Sequence, residues 1–195
     1  MAAAPAIPKF GLAIDWETSG YSLPNYAEKH QGISFGAVVF DLATLALVDE
    51  LYCEIKHDSK YVWDDGAEKI HGLSRAHLDQ HGITQEDAAL QLGSLVLKYF
   101  GDGKVMLLGH RVWFDEAFTD QLMDVAGLQL NYDPIRLDSA AIGVLFLELQ
   151  RSDAIFDTLG LPPRGEHNAL EDVIYTIEAL RKLKEIFIRG LELEV

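Results

Sequence analysis

Two carboxylates that could share a metal ion, Asp15 and Glu17, stand two residues apart at the end of the first apolar run. Residues i and i+2 of an extended strand point to the same face, so both side chains can reach one cation. The pair alone is weak evidence, because 31 acidic residues among 195 give about five acid-x-acid pairs by chance. Further ligands are needed to predict a site.

Three more residues of suitable chemistry follow along the chain. Asp115 comes shortly after Gly109-His110, near the expected start of a helix, where the helix dipole also favours an acidic residue. Asp172 falls in the first turn of the last expected helix, and His167 precedes that helix at the end of a loop containing Pro and Gly. A histidine in such a loop is not expected to pack in a core. For Asp115, the helix dipole and a metal ion are equally good explanations of an acidic residue.

The order of these residues resembles the DEDDh family of exonucleases. The three motifs are Asp15-Trp16-Glu17-Thr18-Ser19-Gly20, Gly109-His110 through Asp115, and His167-Asn168-Ala169-Leu170-Glu171-Asp172. The resemblance extends from Gly11 to about Leu183, and it includes Ile70-His71-Gly72-Leu73 and Arg136-Leu137-Asp138-Ser139, which are similar to segments between the family's motifs. All signature residues of the family are present.

The resemblance implies a ribonuclease H-like fold and 3'-to-5' exonuclease activity on single-stranded DNA or RNA, with release of nucleoside 5'-monophosphates. It also implies His167 as the general base. It assigns two Mg²⁺ or Mn²⁺ ions to four carboxylates, Asp15, Glu17, Asp115 and Asp172. Oxygen ligands suit these ions, and two ions about 3.5 to 4 Å apart can stabilise the attacking and leaving oxygens of a phosphoryl displacement. An imidazole with a pKa of about 6.5 can accept a proton at neutral pH.

Other residues in or beside the motifs have more than one possible role. Arg111 stands where the family often has Asn, which leaves open how the second motif is held. Arg111 and Arg164 could each bind a phosphate or be ordinary surface charges. Trp16, between two ligands, should point into the core, and Phe114 is also expected there.

Several polar residues near these motifs are expected to be structural. Three histidines, His71, His81 and His110, are each adjacent to a Gly at the expected end of an element. Their side chains can satisfy backbone hydrogen-bonding groups there. Asp138 could assist the site without being a ligand. Cys53, the single cysteine, lies in an alternating run and is expected to be an inert core thiol.

Apolar patterns predict the strands that must position the motifs. Three runs, Phe10–Asp15, Ile33–Phe40 and Leu47–Ile55, predict an antiparallel meander, and the segment from Gly20 to Gln31 is expected to be a loop. Lys104–Leu108 predicts a fourth strand, and the residues near Ile135–Leu137 a short fifth one.

Helical spacing accounts for most of the remaining chain. It runs from Asp64 to about Leu97, with breaks at His71-Gly72 and His81-Gly82 that look like helix ends, because Gly tolerates a left-handed backbone. Further helices are predicted over Trp113–Ala126, from the short strand through Leu149, and from Asn168 to Ile188, with a loop over Leu161–Gly165. Asn168 and Glu171 suit a capping box at the start of the last helix.

These elements predict one α/β domain over residues 1–195, with a mixed five-stranded sheet flanked by helices and a flexible segment over residues 1–9. The composition, 49% hydrophobic and 24% charged, is that of a globular protein. No signal peptide is recognisable, and no apolar run reaches the roughly 18 residues of a membrane helix, so we expect a soluble cytoplasmic protein.

The net charge of -15 argues against a broad basic face for nucleic acid, so the substrate must be held locally, with metal ions supplying positive charge. An inert acidic interaction module with the same fold is the main alternative, and a metal-dependent endonuclease is another. The sequence leaves open the choice between DNA and RNA and the oligomeric state, for which a homodimer is possible.

Overall fold

The computed structural model describes residues 8–22, 25–164 and 168–192. A five-stranded sheet has the strand order β3-β2-β1-β4-β5. The strands are β1 (Phe10–Thr18), β2 (Gly32–Asp41), β3 (Leu47–Glu54), β4 (Leu107–Gly109) and β5 (Leu137–Asp138). The first three pair antiparallel, as predicted, whereas β4 and β5 run parallel to β1. The predicted mixed α/β sheet is confirmed.

Eight helices are present among the described residues. They are α1 (Tyr26–Lys29), α2 (Asp65–His71), α3 (Arg75–His81), α4 (Gln85–Phe100), α5 (Val112–Val125), α6 (Ser139–Leu147), α7 (Ser152–Thr158) and α8 (Ala169–Glu192). The segment from Gly20 to Gln31 was expected to be a loop, but α1 lies within it. None of these helices is both long and apolar enough to span a membrane.

The sheet has one core on each face, because residues of β1 and β2 alternate between two apolar surroundings. Leu12, Ile14 and Trp16 face α4 and α5 on one side, whereas Ala13 and Val38 face α8 on the other. Trp16 is 4% exposed, so its predicted core position is confirmed. Because β1 is central, its carboxyl end lies between elements from both layers.

Two predicted helix ends use glycine differently. Gly72 ends α2 in a left-handed conformation with φ 73, as expected. Gly82 ends α3 with φ -68, so the left-handed interpretation is wrong there. A Cβ at Gly82 would lie 2.8 Å from the backbone nitrogen of Lys56, so close packing beside β3 is the reason for glycine at this position.

The predicted N-terminal boundary is only partly described. Residues 1–7 of the segment expected to be flexible lie outside the described residues. Lys9 was included in that segment, but its carbonyl oxygen accepts a hydrogen bond from the Leu42 backbone at 3.0 Å. Lys9 is therefore part of the folded structure.

Candidate active site

Three carboxylates meet where β1 ends beside the first turn of α8. Asp15 and Glu17 extend from the same side of β1, and Asp172 lies in the first turn of α8. One oxygen from each of the three side chains can be chosen so that all lie within 4.8 Å of one another. The three side chains are partly buried, and this spacing allows them to share a cation.

Gly36 allows α8 to come this close to the sheet. It pairs with Asp15 across β1 and β2, and it lies against the start of α8. A Cβ at Gly36 would overlap the backbone of Leu170 and lie 2.5 Å from the carbonyl carbon of Ala169. A glycine on β2 therefore determines how near Asp172 lies to Asp15.

The cap of α8 fixes where Asp172 falls in the helix. The Asn168 side chain accepts hydrogen bonds from the backbone of Leu170 at 3.1 Å and Glu171 at 3.2 Å. These contacts satisfy amides that the helix itself leaves unpaired. The predicted capping role of Asn168 is confirmed, and it places Asp172 one turn into the helix.

Asp115 brings a fourth carboxylate from α5, on the other side of β1. The residue is only 2% exposed. Its Oδ2 atom is buried and has no hydrogen-bond partner among the described residues. Burial raises the pKa of Asp115 well above its usual range, although the Trp16 backbone N–H lowers it in part. An orphaned, buried carboxylate oxygen is costly, and a cation is the partner that its chemistry suits.

Crowding affects the other carboxylates in the same direction. Burial raises the pKa of Asp15 well above its usual range, and repulsion by Asp115 and Glu17 adds to the rise. Burial and repulsion by Asp172 raise the pKa of Glu17 to about 8, against the opposing effect of Arg164. A bound divalent cation would reverse these effects by favouring the charged forms. The donor set therefore fits a hard metal ion.

Arg164 supplies positive charge beside the carboxylates. Its guanidinium pairs with both Asp172 and Asp153, and it lies 5.0 Å above the Phe156 ring. Only 11% of its side chain is exposed, so the interpretation of Arg164 as an ordinary surface charge is wrong. The ion pair with Asp172 connects the loop after α7 to the first turn of α8.

The second motif is held by Asp138 at the end of β5. The Asp138 carboxylate accepts hydrogen bonds from the backbone of Arg111 at 3.2 Å and Val112 at 3.3 Å, and it also caps α6 through Ala140. Asp138 therefore joins the start of α5 to the start of α6. This contact shows how the motif is held with Arg111 in place of Asn.

An aromatic cavity adjoins the carboxylates. It has a volume of about 330 Å³ and is lined by Asp15, Trp16, Tyr21, His110, Arg111, Trp113, Phe114 and Asp115. Tyr21 is 51% exposed and Trp113 is 48% exposed. Phe114 is half-buried and lies 5.6 Å from the Tyr21 ring, so its expected core position is wrong in part. Tyr21 and Trp113 were not among the predicted site residues, although both lie next to motif residues in the sequence.

A second, smaller cavity adjoins the first at Asp15. It has a volume of about 200 Å³ and is lined by Asp15, Trp16, Glu17, His110, Ser152, Phe156, Arg164, Asp172 and Thr176. His110 borders both cavities, and its Nδ1 lies 2.9 Å from Ser139 Oγ. Burial lowers the pKa of His110, which favours a neutral ring. His110 was expected to be structural, and its contact with Ser139 agrees with that role, but it also lines both cavities.

The other histidines divide into described and undescribed residues. His167, expected to be the general base, lies outside the described residues. His71 accepts a hydrogen bond from the Leu73 backbone at 3.0 Å, which confirms its structural role. His81 lies at the end of α3, with its ring 4.7 Å from that of His77.

Comparison with known proteins identifies a family. The family model described as exonuclease, RNase_T, matches residues 12–180 and so spans most of the chain. The match includes all three motifs and both segments between them. No match was found among curated protein sequences.

Solved structures with the same fold are distant in sequence. The nuclease domain of 3'hExo, a DEDDh family member bound to rAMP, is 17% identical with a TM-score of 0.71, over 93% of this chain and 94% of that chain. A 3'-exonuclease that recognises a histone mRNA stem-loop is 18% identical with a TM-score of 0.72, over 93% and 84%.

Larger exonucleases share the fold over part of their length. A zinc-bound complex of exonuclease I from E. coli with single-stranded DNA is 19% identical with a TM-score of 0.75, over 91% of this chain and 41% of that chain. This chain therefore spans less than half of that protein. These similarities confirm the predicted ribonuclease H-like fold.

Proposed function

This chain belongs to the RNase_T family of exonucleases, and on that premise we propose that it removes nucleotides one at a time from the 3' ends of single-stranded DNA or RNA, releasing nucleoside 5'-monophosphates. The observation that carries the proposal is the meeting of Asp15, Glu17 and Asp172 around one point, with the orphaned oxygen of Asp115 beside them. Three solved structures of the same fold are of 3'-end or single-strand nucleases by their descriptions, which supports this direction and substrate.

We propose that the four carboxylates, Asp15, Glu17, Asp115 and Asp172, hold two Mg²⁺ or Mn²⁺ ions. Such ions supply the positive charge that phosphoryl transfer needs and make water a stronger nucleophile. Asp15 borders both cavities, so its carboxylate could reach an ion in either of them. Arg164 partly neutralises Asp172, which limits the repulsion that the remaining carboxylates must overcome.

The aromatic cavity provides a place for the terminal base. Tyr21 and Trp113 present exposed rings at its edge, and Phe114 lies behind them. Stacking of a base on an aromatic side chain is worth about 1 to 3 kcal/mol and tolerates every base. This arrangement suits an enzyme that must release each of the four nucleotides in turn. Arg111, at the same cavity, can contact a phosphate.

Proton transfer is the role we propose for His167. In the sequence it directly precedes Asn168, the cap of α8, and it stands five residues before Asp172. A neutral imidazole there can take the proton of the attacking water, which is typically worth about 10² to 10⁴ in rate. We expect His167→Ala to lower kcat by about 10² or more, without changing the metal-induced rise in Tm.

The test uses matched linear and circular strands. DNA and RNA oligonucleotides labelled at the 5' end are incubated with Mn²⁺ or Mg²⁺, and the products are separated on a sequencing gel. We expect a ladder that shortens from the 3' end, with nucleoside 5'-monophosphates as the released product. A closed single-stranded circle of the same sequence should remain intact. Cleavage of the circle, or shortening from the 5' end, would overturn the proposal.

A further inference from the structure

A groove lies along the outer edge of β3, beside α4. It has a volume of about 610 Å³, and its lining shares no residue with the two cavities of the active site. Residues of both elements and of the segment between them line it: Asp49, Glu50, Leu51, Ile83, Asp87, Leu90, Gln91, Ser94, Leu95 and Lys98. Three consecutive residues of β3 are among them. Side chains of consecutive strand residues point to opposite faces of the sheet. A groove lined by three consecutive residues must therefore face the edge of the strand.

Within residues 8–22, 25–164 and 168–192, no strand pairs with the edge of β3 that faces this groove. At the end of the strand, the Ile83 N–H donates to the Glu54 carbonyl at 2.9 Å, and the Ile83 carbonyl accepts from the Lys56 N–H at 2.9 Å. Ile55, in contrast, donates to Ile33 of β2. Backbone N–H and C=O groups of successive strand residues point alternately to the two neighbouring sides. Those of Tyr52 and Glu50 therefore point outward, along the same edge with which Ile83 pairs.

Two contacts close the groove at its ends. The single-residue bridge of Ile83 with Ile55 closes one end. At the other end, Asp49 is held by Lys98 and by the hydroxyl of Tyr99, both at 2.8 Å. The edge between these contacts spans about five residues, or roughly 17 Å of extended chain. The groove thus has room for a short strand, and β3 is the edge strand of the described sheet.

The side chains of the groove specify what such a strand should carry. Leu90, on α4, is 56% exposed at the rim, while Leu95 and Leu51 form an apolar floor. Asp49 already has a cationic partner, but the exposed carboxylates of Glu50 and Asp87 have no ion pair with a described residue. An occupant with apolar side chains toward the floor and cationic side chains toward the rim complements both properties.

We propose that this groove binds an extended, basic segment of a partner protein, which pairs with β3 as a sixth strand. Main-chain hydrogen bonds to Tyr52 and Glu50 would supply affinity, and alternate side chains would supply selectivity. The net charge of -15 favours a basic partner over long distances as well. Pairing also covers an edge that would otherwise remain open to unspecific strand addition.

The test measures binding of a designed peptide to the full chain. The probe is a fluorescein-labelled heptapeptide of alternating Lys and Val, followed by fluorescence anisotropy. One control peptide replaces the central Val by Pro, which removes a backbone donor, and another replaces each Lys by Glu. We expect saturable binding of the Lys peptide and at least tenfold weaker binding of both controls. Equal binding of the Pro peptide would overturn strand pairing.

Protein variants locate the binding site. The double variant Glu50→Lys, Asp87→Lys should weaken binding of the Lys peptide at least tenfold. The matched control, Asp124→Lys, Asp157→Lys, changes the net charge equally on exposed residues elsewhere and should retain most of the binding. Equal losses in the two double variants would mean that only overall charge matters and would overturn the proposal.

Two further measurements distinguish a paired strand in the groove from a peptide held by charge alone and from a second copy of this chain. Hydrogen exchange of the Tyr52 amide should slow when the Lys peptide is bound, whereas a peptide held only by charge leaves it unchanged and contradicts the proposal. Sedimentation of the wild type tests a second copy of this chain as the occupant. A dimer that Glu50→Lys, Asp87→Lys dissociates would overturn the proposal in favour of self-association.

Discussion

Arg111 adopts a left-handed backbone, with φ 63 and ψ 54, immediately before α5. This region is costly for residues with a Cβ, by roughly 1 to 2 kcal/mol, and Asn tolerates it better because its short side chain bonds locally. The family often has Asn at this position, so the conformation gives a physical reason for that preference. Here the contacts of Asp138 with the Arg111 and Val112 amides hold the conformation without Asn.

The strain at Arg111 leads to a prediction about stability. Arg111→Asn should raise the free energy of unfolding by up to about 1 kcal/mol, which corresponds to a Tm increase of roughly 2 to 4 °C. Thermal melts without metal measure the effect. Arg111→Ala is the control, since it removes the same side chain but keeps the left-handed penalty. If Ala stabilises as much as Asn, loss of the charged side chain is the cause and backbone strain is not.

Glu17 leads to a prediction about pH. Its pKa is about 8 in the folded protein, against an ordinary value of 4.5. Between these two pH values, the folded state holds a proton that the unfolded state has lost. The stability that Glu17 contributes therefore falls as pH rises above 4.5, and it is lost once pH has passed about 8. We expect the metal-free Tm to fall between pH 6 and pH 9 and the fall to be smaller in Glu17→Gln. A Tm that rises over this range in the wild type would contradict the assigned burial.

Single residues were predictable from the sequence where local periodicity fixes their direction. Strand alternation places Asp15 and Glu17 together and turns Trp16 into the core. The ion pairs of Arg164 were not predictable, because they depend on the path of a loop that has no periodicity. The same holds for Tyr21, whose contact with Phe114 joins residues far apart in the chain.

At the scale of elements, the position of α8 against the sheet depends on Gly36. The backbone of Leu170 occupies the space that a side chain at Gly36 would need, so any larger residue must displace the first turn of α8. That turn carries Asp172. The distance between the first and third motifs is therefore set on β2, which contains none of the signature residues.

This dependence gives a prediction for Gly36→Ala. The added methyl group should push α8 outward, lower Tm, and weaken Mn²⁺ binding by tenfold or more, because Asp172 moves away from Asp15. Isothermal titration calorimetry measures the affinity. Gly190→Ala, in α8, is the control, because a Cβ there meets open space and should stabilise that helix slightly. An unchanged Mn²⁺ affinity in Gly36→Ala would show that Asp172 does not depend on this contact.

The long elements and several short ones, among them α2, α3, β4 and β5, were predictable from the sequence, whereas α1 and α7 were not. The strands β1 to β3 and the helices α4, α5 and α8 have enough residues to show a period. In contrast, α1 has four residues, too few for a periodic pattern to emerge, and the seven residues of α7 were not predicted as a helix. The link that Asp138 makes between α5 and α6 was also hidden, since it is a tertiary contact between caps.

The whole molecule combines a net charge of -15 with a proposed site for a polyanionic substrate. Composition predicts that no broad basic face exists, and the charges near the site agree with this view. Of the described residues lining the two cavities, only Arg111 and Arg164 are always cationic, and Arg164 forms ion pairs with Asp153 and Asp172. We therefore expect binding of the proposed substrate to depend on metal ions at the carboxylates. The thermal stability of the protein should likewise depend on metal ions.

Mn²⁺ should raise the Tm of the wild type, because the carboxylate site exists only in the folded state. At a free concentration of about 100 times Kd, one site contributes about 2.7 kcal/mol, or roughly 5 to 10 °C for a domain of this size. Thermal melts with and without Mn²⁺ at matched ionic strength measure the shift.

Asp115→Asn separates metal binding from a general effect of salt. The change removes one buried charge and one ligand together, so the metal-free Tm should rise slightly while the Mn²⁺-induced shift becomes smaller. Asp124→Asn is the matched control, because Asp124 is an exposed residue of the same helix, and it should keep the full shift. Ordinary ionic screening would act equally on all three proteins. Equal shifts in the wild type and Asp115→Asn would therefore mean that Asp115 is not a ligand, and its buried oxygen would need another partner.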